Sequence, residues 1–157
     1  MSKTEFVIEP GRQDIVITRT FDAPRELVFK VVTDPSLIAK WWGPRQYETL
    51  VDTMDVRPGG RWRMIHDAGD GNTYGFKGVY HDVVAPERVV QTFEFEGAPG
   101  HVALETLTLE DDGGKTRYLA QSVFQSVEAR DAMVQSGMEG GARETLDRLD
   151  ELVQSLR

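Results

Sequence analysis

The side chains best suited to proton transfer or metal binding in this 157-residue sequence are three histidines, His66, His81 and His101. None belongs to a spaced pair of the HExxH kind. Cysteine is absent, so a metal site would have to gather these histidines across separate segments together with carboxylates. No metal site is expected on that basis. The stretch "HDAGDGNTYG" (His66 to Gly75) superficially resembles a calcium loop. It fails on spacing, because Gly69 and Gly71 stand where an EF-hand needs oxygen ligands after Asp67. "GDGNTYG" misses the dinucleotide fingerprint by one residue and lies between strand-like segments. Neither GxSxG nor a P-loop occurs, so no cofactor is expected. Glu94 and Glu96 alternate with Phe93 and Phe95, which points the two carboxylates to solvent. His66 has the better chemical case. In "RWRMIH" (Arg61 to His66), Trp62, Met64 and His66 share one face and Arg61, Arg63 and Ile65 the other. A histidine in such company is a candidate acid–base group of an apolar pocket.

These residues must be positioned by the surrounding elements. "DIVITRTF" (Asp14 to Phe21) has strand composition and alternation. In "APRELVFKVVTD", Pro24 suits a first helical turn and Leu27, Val28, Val31 and Val32 form one apolar stripe. "DPSLIAKWW" predicts a second short helix, capped by Asp34, opened by Pro35 and stopped by Gly43-Pro44. Six strand-like segments follow, separated by "RPGG", "DAGDGN", "APE", "GAPG" and "DDGGK". In the first of these turns Gly59 occupies the position that takes positive φ in a type II turn. From Ser126 to Arg157 the period changes to a helical one, with Leu146, Leu149, Val153 and Leu156 on one face. Gly137, Gly140 and Gly141 predict a bend, or two helices, in this stretch.

The fold class is therefore α+β. A curved antiparallel sheet of about seven strands wraps on a long C-terminal helix, with two short helices after the first strand. One domain covers residues 1–157, with residues 1–13 a loose lead-in. Net charge is −8, and the acids are spread out except for "DRLDE" (Asp147 to Glu151). Such a surface argues against nucleic acid as a partner, since Arg57, Arg61 and Arg63 are the nearest approach to a basic patch. No apolar run reaches the roughly 20 residues of a membrane span. The first residues lack an apolar signal core, so a cytoplasmic location is expected. Monomer and homodimer both fit the sequence.

A curled sheet closed by a helix encloses a space. Alternation supplies its lining from Trp62, Met64 and His66, from Phe76 and Tyr80, and from Gln91 and Phe93. Met133 and Met138 can be added from the helical end. "VALETLTLE" changes phase between Leu104 and Leu107, which suggests a bulge. On the last strand Tyr118, Ala120, Ser122 and Phe124 compete with Leu119, Gln121 and Val123 for the inner face. Trp41 and Trp42 are adjacent and must diverge. Trp42, beside the Gly-Pro stop, is expected to anchor the helices to the sheet, and Trp41 to face the cavity mouth or solvent. Aromatic rings, flexible methionines and a few polar groups suit a small-molecule pocket.

Together, "FDAPRELVFKVVTDPSLIAKWWGP", "DVRPGGRWRM", "GVYHDVVAPERVVQTFEFE" and "SGMEGGARETLDRLDELV" resemble the activator of heat-shock-protein-90 ATPase homologue-like family. That family belongs to the START-like (SRPBCC, Bet v 1-like) superfamily, and the resemblance runs from about Asp14 to Leu156. It implies the helix-grip fold and a cavity that takes lipids, polyketides or other apolar molecules. It transfers no shared catalytic set. Trp42, Gly43, Pro44, Asp55, Pro58, Gly59 and Gly60 match its signature, and the resemblance implies structural roles for them. The namesake co-chaperone also uses a second, N-terminal domain, for which this sequence has no room. The leading expectation is thus a protein that binds an apolar or aromatic small molecule, through Trp41, Trp62, Met64, His66, Phe76, Tyr80, Gln91, Phe93, Met133 and Met138, rather than an enzyme. The alternatives are a cyclase- or hydrolase-type enzyme using His66 or a nearby acid, and a protein-interaction module docking a chaperone partner through Trp41 and the first helices.

Overall fold

A computed structural model describes residues 3–157. The elements run β1 (Glu5–Val7), β2 (Asp14–Phe21), α1 (Arg25–Thr33), a 3-10 turn (Ile38–Lys40), β3 (Glu48–Met54), β4 (Arg61–Asp67), β5 (Thr73–Val84), β6 (Arg88–Phe95), β7 (Val102–Asp112), β8 (Lys115–Val123), α2 (Val127–Gln135) and α3 (Met138–Ser155). Among the described residues the strands form one unclosed antiparallel sheet in the order β1-β2-β8-β7-β6-β5-β4-β3. The sheet is curved, as a twisted sheet of this width must be.

Three expectations are corrected. The lead-in is not loose throughout: Glu5–Val7 pairs antiparallel with Val16 to Thr18. This adds an eighth strand to the seven expected. The Thr4 carbonyl accepts from Arg143 at 2.8 Å, and that guanidinium lies 4.7 Å from the Phe6 ring centroid. Long-range partners of this kind leave no local signal in a short segment. Met1 and Ser2, also part of the expected lead-in, lie outside the described residues. The second short helix is only the turn Ile38–Lys40. Gly43, at φ +88°, ends the segment before a second full turn can form.

The expected break in the helical end is present. Ser126 caps α2, its hydroxyl accepting from the Ala129 amide at 3.0 Å. Gly137, at φ +85°, then separates α2 from α3. Gly59 takes φ +84° in the β3–β4 turn, as the Pro-Gly signature requires. β7 keeps its register with both neighbours throughout, so the bulge expected there is absent. Register shifts occur instead in β3 after Val51 and in β5 after Tyr80.

The core joins α1, the sheet and the second half of α3. Phe21, Val28, Val31, Leu149 and Val153 have essentially no exposed surface. Arg19, on β2, ties α3 down beside them, donating to Asp147 at 2.6 Å and Asp150 at 3.0 Å. The acidic "DRLDE" cluster is thus in part the counter-charge of a buried arginine. No described helix is long and apolar enough to cross a membrane. Because Leu149 is fully buried where α3 meets this core, Leu149→Ala is expected to lower stability by about 2–5 kcal/mol in denaturant unfolding.

Candidate functional site

Between the concave face of the sheet, the α1–β3 connection and the start of α3 lies a cavity of about 780 Å³. A second lobe of about 860 Å³ extends toward α2 and the β6–β7 loop. The lobes share Tyr47, His66, Phe76, Phe93, Phe124 and Met133, so they form one interior space. All ten residues expected from the sequence, Trp41, Trp62, Met64, His66, Phe76, Tyr80, Gln91, Phe93, Met133 and Met138, stand on the wall of the first lobe.

The rings form a continuous cluster. Trp42 meets Trp62 edge-on at 6.0 Å and Phe76 at 5.4 Å, and Phe93 tilts against both Trp62 and Phe76. The Trp62 indole N–H donates to the Thr92 carbonyl at 3.2 Å, fixing the ring's orientation. Trp42 packs on the sheet rings Trp62 and Phe76, as expected of the anchor, and Trp41 lines the cavity. What differs is that Trp41 is an anchor too: it is 6% exposed and its indole donates to the Val31 carbonyl at 3.3 Å, fastening the 3-10 turn to α1. Trp42 supplies the ring that joins the cavity cluster. Trp41, so buried, offers no docking face.

His66 is 5% exposed, and its Nε2 is buried without a hydrogen-bond partner. Its imidazole stacks on Tyr47 at 5.0 Å and tilts against Trp42 and Phe76. Burial, helped by the Arg148 charge, holds the imidazole down at about 4. Gly43 explains how the ring fits, since a Cβ there would lie 2.3 Å from Nε2. The nearby Arg148 guanidinium is held by the carbonyls of Gly43 at 2.6 Å and Lys40 at 3.0 Å.

The sequence reading missed Glu105. With β7 in unbroken register, Ala103, Glu105 and Leu107 line the cavity. On β8 the Tyr118, Ala120, Ser122 and Phe124 set faces inward. Glu105 pairs across the sheet with Gln91 on one side and Ser122 on the other. Gln91 Nε2 and Ser122 Oγ each donate to its carboxylate at 3.3 Å. Desolvation outweighs these two donors and pushes Glu105 up to about 7. The same burial, with the Glu105 charge, raises Tyr118. The misleading signal was Leu104, an apolar side chain that faces outward and is 46% exposed.

The other candidates behave as surface groups. His81 and His101 are exposed, and His101 lies at the edge of the second lobe. Among the described residues no cluster of His, Asp and Glu could hold a metal ion. Arg63 is engaged bidentately by Glu96 at 2.7 and 2.8 Å, and Arg57 by Asp55 at 2.8 Å, so these arginines form no free basic stripe.

An open antiparallel sheet gripping a C-terminal helix around a largely apolar cavity defines the START-like class. Residues 22–154 match the family model described as Activator of Hsp90 ATPase homolog 1-like protein, and the chain belongs to that family. Solved structures agree in fold. A protein of Arthrobacter aurescens is 25% identical, with 96% of this chain and 91% of that one covered and a TM-score of 0.88. A Rhodobacter sphaeroides protein is 26% identical, with 96% and 99% covered and the same TM-score of 0.88. Protein Ms6760 of Mycobacterium smegmatis is 25% identical, with 95% of each chain covered and a TM-score of 0.85. No curated protein matches the chain.

The two buried titratable groups act on stability with opposite sign. His66, lowered from 6.5 to about 4, contributes stability that is complete above pH 6.5 and is lost as pH falls through 4. Glu105, raised from 4.5 to about 7, contributes stability that is complete below pH 4.5 and is lost as pH rises through 7. Glu105→Gln is therefore expected to gain more melting temperature over the parent at pH 8 than at pH 5; an equal difference at both pH values contradicts this. His66 is expected to stay neutral at about pH 5.5 in an NMR titration, and an imidazole half-protonated near 6.5 contradicts its burial.

Proposed function

We propose that this chain binds an apolar or aromatic small molecule inside the sheet–helix cavity. The observation that carries this reading is the cavity itself: about 780 Å³ in its first lobe, walled mainly by aromatic and aliphatic side chains, with a few polar groups among them. Small-molecule sites typically span roughly 300–1,000 Å³ and have this composition. Met133 and Met138 add adaptable wall on the helical side. Trp42 and Trp62, in contact with each other and with Phe76 and Phe93, give binding an optical signal.

A cyclase- or hydrolase-type reaction in the same cavity is the second reading. It is favoured by Glu105, whose carboxyl is held at about 7, where a general acid–base group works best near neutral pH. The two readings separate by mass spectrometry after incubation with any molecule found to bind. Unchanged recovery supports binding, whereas a product formed by the parent and not by Glu105→Gln supports catalysis.

Ala120 lies on the inner face of β8 and lines the cavity. Ala120→Phe is expected to fill part of the space and to abolish the thermal shift and tryptophan fluorescence change produced by naphthalene-sized ligands, with a circular dichroism spectrum like the parent's. A parent protein that responds to none of a broad hydrophobic set overturns the reading. An Ala120→Phe variant that responds undiminished does so too.

A further inference from the structure

The floor of the cavity carries a polar row whose composition selects among ligands. Adjacent strands bring Tyr80, Gln91, Glu105 and Ser122 into line, each paired with the next across β5, β6, β7 and β8. Glu105 is the charge in that row. Along β7 its same-face neighbour is Ala103, the partner of Phe93, and on the diagonal across to β8 it is Ala120, the partner of Leu107. Two alanines beside the carboxylate leave room for a guest where larger side chains would close it off.

The cavity offers Glu105 no permanent cation. Among its described lining residues there is no lysine or arginine. The titratable groups facing the first lobe are Glu105, Glu144, His66 and the phenols of Tyr47, Tyr80 and Tyr118. The second lobe adds only Tyr74, His101 and Glu128 as titratable groups. Glu144 is already engaged, accepting from the Arg45 amide at 2.5 Å, and His66 is held neutral. The Arg148 guanidinium is spent on the two carbonyls at the rim, and Arg19 on Asp147 and Asp150. Gln91 and Ser122 give Glu105 two long, neutral hydrogen bonds, and no ion pair. A carboxylate left in this state inside an aromatic enclosure is a site for a cation, which can pair with the acid and lie against ring faces. An anionic ligand would meet Glu105 with no compensating charge.

We infer that the molecule this cavity takes is an apolar, aromatic-compatible amine whose protonated nitrogen seats on Glu105 between Gln91 and Ser122. This rests on the cavity-binding reading and adds the ligand class to it. Seating the ammonium fixes Glu105 in its ionised form, so binding near neutral pH releases the proton that burial otherwise keeps on the carboxyl.

A triplet of near-isosteric probes tests this at pH 7: 2-naphthylethylamine, 2-naphthylethanol and 2-naphthylacetate. Calorimetry is expected to show the amine binding at least about tenfold more tightly than the alcohol, as a charge-assisted bond requires, and the acid binding most weakly. Repeating the amine titration in buffers of different ionisation enthalpy is expected to show proton release. Glu105→Gln is expected to reduce the amine to the alcohol's affinity and to abolish that release. If the alcohol binds as tightly as the amine, or if the amine's advantage persists in Glu105→Gln, the inference falls while the cavity-binding reading stands. If none of the three binds the parent, both fall. The parent comparison decides the matter even if the variant does not fold.

Discussion

The seating of α3 governs the rest of the molecule. Leu146, Leu149 and Val153 are buried together with α1 and the sheet, each worth roughly 1.5–3 kcal/mol as apolar surface leaves water. Arg19 adds a directional tie through Asp147 and Asp150. Its charge is buried, so the two aspartates matter more for compensating it than for any net gain. The first half of α3 is built differently. Gly141 and Ala142 line the cavity there and bring almost no side-chain volume. The helix is thus held firmly at one end and spans the sheet with small residues at the other. Close packing, which would otherwise fill the interior, is withheld where the cavity lies.

The opposite wall is held with comparable economy. Trp41 ties the 3-10 turn to α1, Arg148 ties α3 to the Lys40 and Gly43 carbonyls, and Arg45 pairs with Glu151. These bonds close a rim around rings that belong to the sheet and to Trp42. Gly43 is the tightest point, because its missing side chain is what allows His66 to sit beneath it. The consequence is a neutral histidine and a carboxyl at about 7 inside one aromatic enclosure, both set by burial more than by charged neighbours. The cavity is therefore polar at a few points, and its chemistry is concentrated on Glu105.

Much of this was legible in the sequence. The period-2 alternation of Trp62, Met64 and His66, and of Phe76 and Tyr80, assigned the inner face correctly because one face of each strand is buried. Gly137 marked the helix break, since a positive φ there suits glycine. What failed was governed by contacts distant in sequence. β1 depends on Arg143 and Arg19, more than a hundred residues and fifteen residues from Thr4 respectively. The burial of Trp41 turned on a bond to Val31 that no local pattern encodes. Glu105 was hidden because hydrophobicity was allowed to set the phase of β7, and Leu104 is an apolar residue on the outer face. Reading back from Leu107 in strict alternation reaches Glu105.

The central claim is that the interior between sheet and helix is the binding site. Chemical-shift mapping with 2-naphthylethanol, a neutral probe, tests it most directly. The account predicts that the indole signals of Trp42 and Trp62 and the resonances of Ala103, Ala120 and Met133 move on titration. It predicts that Val7 and Leu104, exposed on the outside, do not. Shifts confined to such outer residues, or no shifts at all, would contradict it.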